Sequence, residues 1–383
     1  MSSRLAWRDL LHNRQRLVVS VVGITFAVFL IFIEMGFLNA VYDSQTDLVR
    51  ILNADLVMVN RFKESLLTTQ PFPRRRLIQA LAVEGVQAAY PVYIEEFKSI
   101  WKDLGSGHAH AILAVAFDPE DPAFLLPEIA RKLPELRLPD RAIADAQARR
   151  FYGDLVEGRE AELAGRKIRL VGTFDLGPDF RTDGMLIMTR GNFLQYFSNS
   201  RLRPNRSEEV EIGLLKVRPG ADPGEVRDRL STLLPRDVDV LTKDQYSAEI
   251  ENYWRTYQPI GTVFGLGMTL GFVIGIAVCY QLLFTDIVDH YRQYATLKAM
   301  GYFDSFLTKV VLQKAWILAA AGFAVSLVLA LGGYVLLEQL TSLRLRLTPL
   351  RALPVLGAAL FMCSLGAILA LRKVKHADPA DLF

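Results

Sequence analysis

The sequence contains few residue patterns that could perform catalysis or hold a metal ion. Among its five histidines, only His108 and His110 are close together. Two histidines without a third ligand are weak evidence for a metal site, so an exposed loop or strand edge is the favoured interpretation. Asp175, Asp179 and Asp183 lie in a glycine-containing loop without the spacing of a calcium-binding loop. We therefore expect no metal site.

Common sequence motifs of enzymes are also missing. The sequence has no G-x-x-x-x-G-K-[ST] phosphate-binding loop, no H-E-x-x-H, no C-x-x-C and no G-x-S-x-G. We expect no catalytic or cofactor-binding residues in this chain. If the protein uses ATP, another subunit must hydrolyse it.

One stretch, His290 to Tyr302 (HYRQYATLKAMGY), has the spacing of an amphipathic helix between two long apolar runs. An apolar stripe begins just before this stretch and consists of Ile287, Tyr291, Tyr294 and Leu297. Gly301 is placed as a helix stop. Such a helix could lie on a lipid surface and only connect two spans, or it could receive a push from a soluble partner. The stripe alone favours the connecting role.

The composition indicates a membrane protein with one large extramembrane insertion. Of the 383 residues, 51% are hydrophobic and 22% are charged, and the formal net charge is +3. The apolar residues gather towards both ends of the chain and leave a polar middle. The basic residues lie beside apolar runs, so the small positive charge does not indicate nucleic acid. Cys279 and Cys363 both fall in apolar runs, so the insertion has no disulfide.

Four apolar runs are long enough for membrane helices of about 20 residues. The predicted segments are a cytoplasmic N-terminus (1–16), a first span (17–38), an insertion with stalk helices (39–258), a second span (259–284), a cytoplasmic loop (285–309), a third span (310–337), an outer loop (338–352), a fourth span (353–371), opened by Pro354, and a cytoplasmic tail (372–383). The first run lacks the short core and cleavage site of a signal peptide, so it is interpreted as an uncleaved anchor.

Four spans place both basic chain ends in the cytoplasm, as the positive-inside rule prefers. The exceptions are Arg344, Arg346 and Arg351, which fall in the outer loop and are expected to contact the insertion or lipid headgroups. The spans are interpreted as nearly free of charge apart from Glu34 and Glu338 near their ends, and Glu34 is expected to contact another helix or the membrane interface.

Small residues in the second span indicate close helix packing. Gly267, Gly271 and Gly275 stand four apart and therefore share one helix face. The face could pack inside the permease unit or across a dimer.

The insertion reads as a mixed α+β unit of one or two domains. Its predicted helices are 77–82, 141–152, 192–197 and 221–234, and its predicted strands are 55–59, 86–97 (a pair broken at Pro91), 112–117, 167–173, 185–189, 210–217 and 238–241. A proline-rich loop is expected over 118–139. Helical patterns continue the spans at both ends of the insertion, out to Asn53 and from Lys243 to Trp254, which predicts a stalk.

The arrangement of one anchor, a large insertion and three further spans resembles the FtsX/MacB-type ABC permeases. Their coupling segment ends in a pattern like E-[IY]-[GA]-x-L-[RK]-A-[LIM]-G. It is matched here by Tyr294, Ala295, Leu297, Lys298, Ala299, Met300 and Gly301. Gln293 stands where the family usually has glutamate, which puts in doubt any salt bridge that this glutamate makes to the ATPase. Ala377-Asp378-Pro379-Ala380 looks like the family's D-P-A ending.

The insertion resembles the MacB-type core domain over Ala142 to Thr173. Phe151-Tyr152-Gly153-Asp154 matches the family's [FL]-F-G-D turn, and Gly165-Arg166-Lys167-Ile168 matches its G-[KR]-x-I strand start. The YATLKAMGY form, with the segment Asn53 to Val57, is most similar to the DevC subgroup, the permease of DevBCA-type exporters.

The resemblance implies an α-helical membrane protein of the bacterial inner membrane, with four transmembrane helices, a MacB-type α+β periplasmic domain and an FtsX-like permease domain over 259–376. It implies a homodimer with a cytoplasmic ABC ATPase that binds ATP and Mg, a periplasmic membrane-fusion adaptor and a TolC-like outer-membrane channel. The non-catalytic permease would drive export by mechanotransmission. The implied ATPase-coupling residues are Tyr291, Arg292, Gln293, Tyr294, Leu297, Lys298, Ala299, Met300 and Gly301.

Two related functions remain open at this stage. An FtsX-like signal transmitter would activate a periplasmic cell-wall hydrolase and move no substrate, although such regulators usually have a smaller insertion. A lipoprotein-releasing permease is harder to separate by sequence. A membrane-anchored enzyme is the least favoured alternative, because the catalytic motifs are missing.

Overall fold

The computed structural model describes residues 14–63, 70–198, 206–290 and 304–376. Two compact units make up the chain. The membrane unit comprises residues 1–40, 259–340 and 345–383, and the insertion unit comprises residues 41–258 and 341–344. In chain order the elements are α1 (Arg14–Ile51), β1 (Leu56–Asn60), β2 (Phe72–Pro73), α2 (Arg75–Leu81), β3 (Val86–Glu95), β4 (Ile100–Lys102), β5 (Ala109–Ala111), β6 (Leu113–Phe117), α3 (Pro127–Leu136), β7 (Arg141–Asp145), β8 (Glu160–Leu163), β9 (Arg166–Phe174), β10 (Met185–Thr189), α4 (Arg190–Phe197), β11 (Glu209–Val210), β12 (Ile212–Val217), α5 (Pro223–Leu233), β13 (Val238–Thr242), α6 (Lys243–Tyr257), α7 (Ile260–Asp289), α8 (Asp304–Thr341) and α9 (Pro349–His376).

Within the described residues, four helices are long and apolar enough to cross a membrane. They are α1, α7, α8 and α9, and large apolar side chains such as Val19, Leu266 and Leu329 are exposed on them. A hydrocarbon surround makes such exposure favourable, whereas water would not. The predicted α-helical membrane protein with four spans is therefore confirmed.

Helix α1 continues without a break to Ile51, close to Asn53, where the helical pattern that follows the predicted span ends. Pro354 was expected to open the fourth span, but α9 begins at Pro349 and encloses Pro354. That prediction was wrong because Pro349 already supplies a favourable helix start.

Contacts along α1 show the directions of its two neighbours. A β-carbon built on Gly23 would lie 2.7 Å from Val278 Cγ1, and one built on Gly267 would lie 2.5 Å from Glu34 Cδ. Rising residue numbers on α1 thus meet falling numbers on α7, and the two helices are antiparallel.

Helix α8 runs parallel to α1. Gly322 lies against Ile24, and Gly36, twelve residues after Ile24, lies against Tyr334, twelve residues after Gly322. The Tyr334 hydroxyl donates to Phe32 O, 2.6 Å away. Since α7 and α8 run in opposite directions relative to α1, successive membrane helices alternate in direction.

Helices α7 and α9 are parallel to each other. Gly275 lies against Met362, and Gly366 lies against Cys279 at the same offset of sequence number. The start of α1 and the end of α9 therefore lie at the same end of the membrane unit, which is the arrangement that the basic flanks predict.

The insertion unit is built on a mixed sheet. Among the described residues, eleven strands form one sheet in the order β13-β1-β12-β3-β6-β10-β7-β9-β8-β4-β5, while β2 and β11 form a separate pair. The neighbours β6/β10 and β7/β9 are parallel, and the other pairs are antiparallel. The predicted α+β class is confirmed, with one continuous sheet.

Two helix starts in this unit follow from their capping residues. Asp222 accepts a hydrogen bond from Glu225 N (2.9 Å) ahead of Pro223, which begins α5. Thr242 and Gln245 form a reciprocal capping box at the start of α6. These signals explain why the predicted positions of both helices are close to the observed ones.

The segment 86–97 is one strand, β3, up to Glu95, and not a pair broken at Pro91. Pro91 pairs with Gly213 on β12, whereas β6 pairs with β3 only from Val92 onward. Pro91 therefore has a strand neighbour on one side only, where a sheet tolerates proline.

The segments around residue 140 were also predicted wrongly. The expected helix over 141–152 is the buried strand β7 followed by a short 3₁₀ turn at Arg150–Tyr152. The expected loop over 118–139 contains helix α3, which starts with Pro127. Alanine-rich composition favoured a helix for β7, but burial between two strands outweighs that propensity.

Candidate functional site

The predicted coupling residues lie outside the described part of the chain. They are Tyr291, Arg292, Gln293, Tyr294, Leu297, Lys298, Ala299, Met300 and Gly301. The described chain reaches His290 on one side and resumes at Asp304 on the other. The docking role of this segment therefore stays a prediction, and the structure contributes the two helix ends that flank it.

A buried ion pair joins α7 to α8 close to the end of α7. Lys314 Nζ of α8 lies 2.7 Å from Asp286 Oδ2 of α7, and the Lys314 side chain is only 1% exposed. His290 Nδ1 lies 2.9 Å from Asp286 O and 3.4 Å from Asp286 Oδ1. The pair therefore holds the end of α7, from which the predicted coupling segment leaves, against α8 at a position ten residues after its start at Asp304.

Lys314 corrects the interpretation of the spans as nearly free of charge. It lies inside the predicted third span, 310–337, and its position among apolar residues was a detectable signal. A charged residue in a span is expected to face a partner inside the bundle, and Asp286 is that partner.

The three glycines of α7 lie on its contact with α1. A β-carbon on Gly267 would meet Glu34 Cδ at 2.5 Å, and one on Gly271 would meet Ile31 Cγ1 at 3.2 Å. One on Gly275 would meet Ala27 Cβ at 3.2 Å as well as Met362 Sδ of α9. The glycines therefore allow close approach of helices within one chain, and Glu34 makes a helix contact.

Polar side chains tie α1 to α8 on another side. Ser326 Oγ donates to Thr25 O (2.8 Å) and the Tyr334 hydroxyl donates to Phe32 O (2.6 Å). In hydrocarbon such bonds favour one helix register, because an unpaired polar group would be costly. Sequence patterns gave no sign of these pairs, since isolated serine and tyrosine residues are common in spans.

A break separates the helix that ends the insertion, α6, from the membrane helix α7. The predicted stalk did not include this break. Helix α6 ends at Tyr257 and α7 begins at Ile260. Gln258 is extended (ψ 135°), as expected for the residue before Pro259. Helix α1, in contrast, continues without interruption from an apolar span to Ile51.

The turn that resembles the [FL]-F-G-D motif has a structural role. Tyr152 is buried, its hydroxyl donates to Ala111 O, and its carbonyl accepts from Trp101 Nε1 (3.1 Å). Gly153 has φ +78°, in the left-handed region that favours glycine. Burial also raises the pKa of Tyr152, which keeps it a neutral donor.

The two close histidines also have a structural explanation. His108 precedes β5 and His110 lies within it, and the His110 ring centroid lies 4.2 Å from that of Phe151. No group of three or more histidine, cysteine or acidic residues in the described ranges could hold a metal ion.

The outer loop contributes a contact within the insertion unit. Arg344 Nε donates to Gln147 Oε1 (3.2 Å). Gln147 follows Asp145, a buried carboxylate that accepts from the backbone N–H groups of Gln147, Leu176 and Gly177. Burial raises the pKa of Asp145, while these bonds and the charge of Arg344 oppose that rise. Arg344 therefore contacts the insertion, which is one of the two contacts expected for the arginines of this loop.

Comparison with known protein families finds a match that lies mostly in the membrane unit. Residues 265–379 match the family described as FtsX-like permease C-terminal. No curated protein matches this sequence.

Two solved structures are similar to part of the chain. The periplasmic region of MacB from Actinobacillus actinomycetemcomitans is 12% identical, with a TM-score of 0.37, and the match covers 53% of this chain and 94% of that one. The extracellular domain of the noncanonic ABC-type transporter YknZ from Gram-positive bacteria is 9% identical, with a TM-score of 0.33, and the match covers 49% of this chain and 99% of that one.

Proposed function

With an FtsX-like permease C-terminal region over residues 265–379, we propose that this chain is the non-catalytic permease subunit of an ABC exporter in a bacterial inner membrane. A separate cytoplasmic ATPase binds ATP and Mg and hydrolyses the ATP. The permease acts as a homodimer with a periplasmic membrane-fusion adaptor and a TolC-like outer-membrane channel. Within the family, the DevC subgroup is the proposed assignment.

The observation that carries this proposal is the continuity of α1. It runs from an apolar span into the insertion unit as one helix, Arg14–Ile51, and it is held to α7 by the glycine contacts and to α8 by two hydrogen bonds. A movement at the ends of α7 and α8 is thereby carried to α1. This arrangement supports mechanotransmission, in which the periplasmic domain pushes substrate outward.

The ion pair Asp286–Lys314 supports the same mechanism at the cytoplasmic end. It joins α7 and α8 on either side of the predicted coupling segment. A force applied to that segment by an ATPase acts on both helices together, because a buried pair resists separation.

A charge on the apolar stripe of the coupling segment tests the proposal. Leu297→Asp should reduce co-purification of the ATPase and abolish export, while the amount of permease in the membrane stays unchanged. Thr296→Asp is the matched control, because helical spacing places residue 296 opposite the stripe. Normal export by Leu297→Asp would contradict the coupling role.

A further inference from the structure

A groove between α7 and α9 lies at the end of the membrane unit that carries the basic tail of α9. Its volume is about 630 Å³, and it is lined by Val273, Ile276, Ala277 and Tyr280 of α7 and by Leu369, Arg372 and Lys373 of α9. The Asp286–Lys314 pair and the predicted coupling segment use none of these residues, and Gly366 of α9 approaches only the backbone of two of them, Ile276 and Tyr280. The groove belongs to the membrane unit alone.

The groove has an apolar part and a cationic end. Val273 is 55% exposed and Leu369 is 40% exposed, so its walls are open to the surroundings of the helices. Arg372 and Lys373 are exposed at the end of the groove that lies nearest the C-terminus of α9. Tyr280, stacked on Phe284 with ring centroids 5.8 Å apart, lies between the two parts, where amphipathic rings favour the headgroup level.

The dimensions fit one lipid chain. In the parallel helices α7 and α9, Gly275 faces Met362 and Cys279 faces Gly366. The same difference in residue number places Arg372 at the level of Thr285. From Val273 to that level is about 18 Å along the helix, which is close to half of a hydrocarbon core about 30 Å thick.

The charges at this level favour an anion. Arg372 and Lys373 of α9 are exposed and give this end of the groove two positive charges. Basic pockets between membrane helices bind anionic headgroups.

We propose that this groove binds an anionic glycerophospholipid, with an acyl chain between α7 and α9 and the phosphate at Arg372 and Lys373. The lipid belongs to the membrane leaflet on the side of Arg372 and Lys373. The proposal does not depend on which substrate the protein moves or on its partner subunits.

Native mass spectrometry of the full chain in mild detergent tests the proposal, with phosphatidylglycerol and phosphatidylcholine of the same acyl chains as probes. The wild type should bind phosphatidylglycerol about tenfold more tightly than phosphatidylcholine, since each basic residue near a membrane surface contributes to anion binding. Arg372→Gln with Lys373→Gln should remove this preference. The control, Arg346→Gln with Arg351→Gln, changes the net charge equally in the loop before α9 and in the first turn of that helix, and it should retain the preference.

A second variant tests the apolar part of the groove. Ala277→Trp fills it and leaves both cations in place, so binding of both lipids should fall severalfold. Equal affinity of the wild type for the two lipids would overturn the proposal, as would an unchanged preference in the Arg372→Gln, Lys373→Gln variant. A loss of dimer in Ala277→Trp without a change in lipid binding would assign the groove to a second copy of the chain and would also overturn it.

Discussion

At the scale of single residues, the two partners of the Asp286–Lys314 ion pair differ in exposure, so the consequences of removing each partner differ. Lys314 is almost fully enclosed, whereas Asp286 retains some exposure. An enclosed cation without a partner has no access to water, while a partly exposed carboxylate does.

We therefore predict that Asp286→Asn destabilises the protein more than Lys314→Met does. Asp286→Asn removes the carboxylate beside the buried ammonium group of Lys314, which costs about 3 kcal/mol. Lys314→Met keeps the volume and removes the buried charge. The midpoint of thermal unfolding in detergent measures the effect, and the double variant should recover part of the loss seen in Asp286→Asn. An additive loss in the double variant would contradict the pairing.

Asp121 provides a pH-dependent contribution in the insertion unit. Burial and the nearby negative charge of Asp118 raise the pKa of Asp121 to about 6, whereas an aspartate in the unfolded chain titrates near about 4. Between these values the folded state binds more protons than the unfolded state, so this carboxyl lowers stability as the pH rises through that window.

Asp121→Asn should consequently be more stable than the wild type at pH 7, by about 1 kcal/mol after allowance for the partial solvation of the group. The gain should vanish near pH 4, where both forms are neutral at this position. Thermal unfolding of both proteins from pH 4 to pH 7 provides the comparison. A difference that does not change with pH would show that the carboxyl does not titrate in this range.

At the scale of elements, packing of α7 against α1 and α9 depends on positions without side chains. Gly275 is enclosed by Ala27 and Met362, whereas Gly265, on the same helix, has no atom within 4 Å of an ideal β-carbon. The two glycines therefore form a matched pair for testing the helix contact.

We predict that Gly275→Leu destabilises the membrane unit by about 1–3 kcal/mol, because the added side chain must displace its neighbours. Gly265→Leu should be neutral or slightly stabilising, since leucine has the higher helix propensity. Gly271→Leu should resemble Gly275→Leu, because its β-carbon position is already within 3.2 Å of Ile31. Equal stability of the Gly275 and Gly265 variants would refute the contact face.

The elements also show what the sequence can and cannot predict. Long apolar runs identified four membrane helices, and capping residues at Asp222 and Thr242 identified α5 and α6. Strand β7 was missed because its alanines have no alternating pattern when both faces of the sheet are covered. The partnership of Asp286 with Lys314 depends on residues 28 positions apart in different helices, which no local pattern reveals.

At the scale of the whole molecule, the insertion unit extends over residues 41–258 and contains its own sheet and buried core. A unit of this size provides surface for an adaptor or a substrate, which supports the exporter over a pure signal transmitter. The transmitter and the exporter still share the same proposed coupling to an ATPase. They differ in the periplasmic partner.

The measurement that tests this account most directly is a pull-down of the tagged full-length chain from mild detergent, followed by mass spectrometry of the proteins that accompany it. The account predicts an ABC ATPase together with a membrane-fusion adaptor. An ATPase with a cell-wall hydrolase and no adaptor would favour the signal transmitter and contradict export, and the absence of any ATPase would contradict the coupling role of residues 291–301.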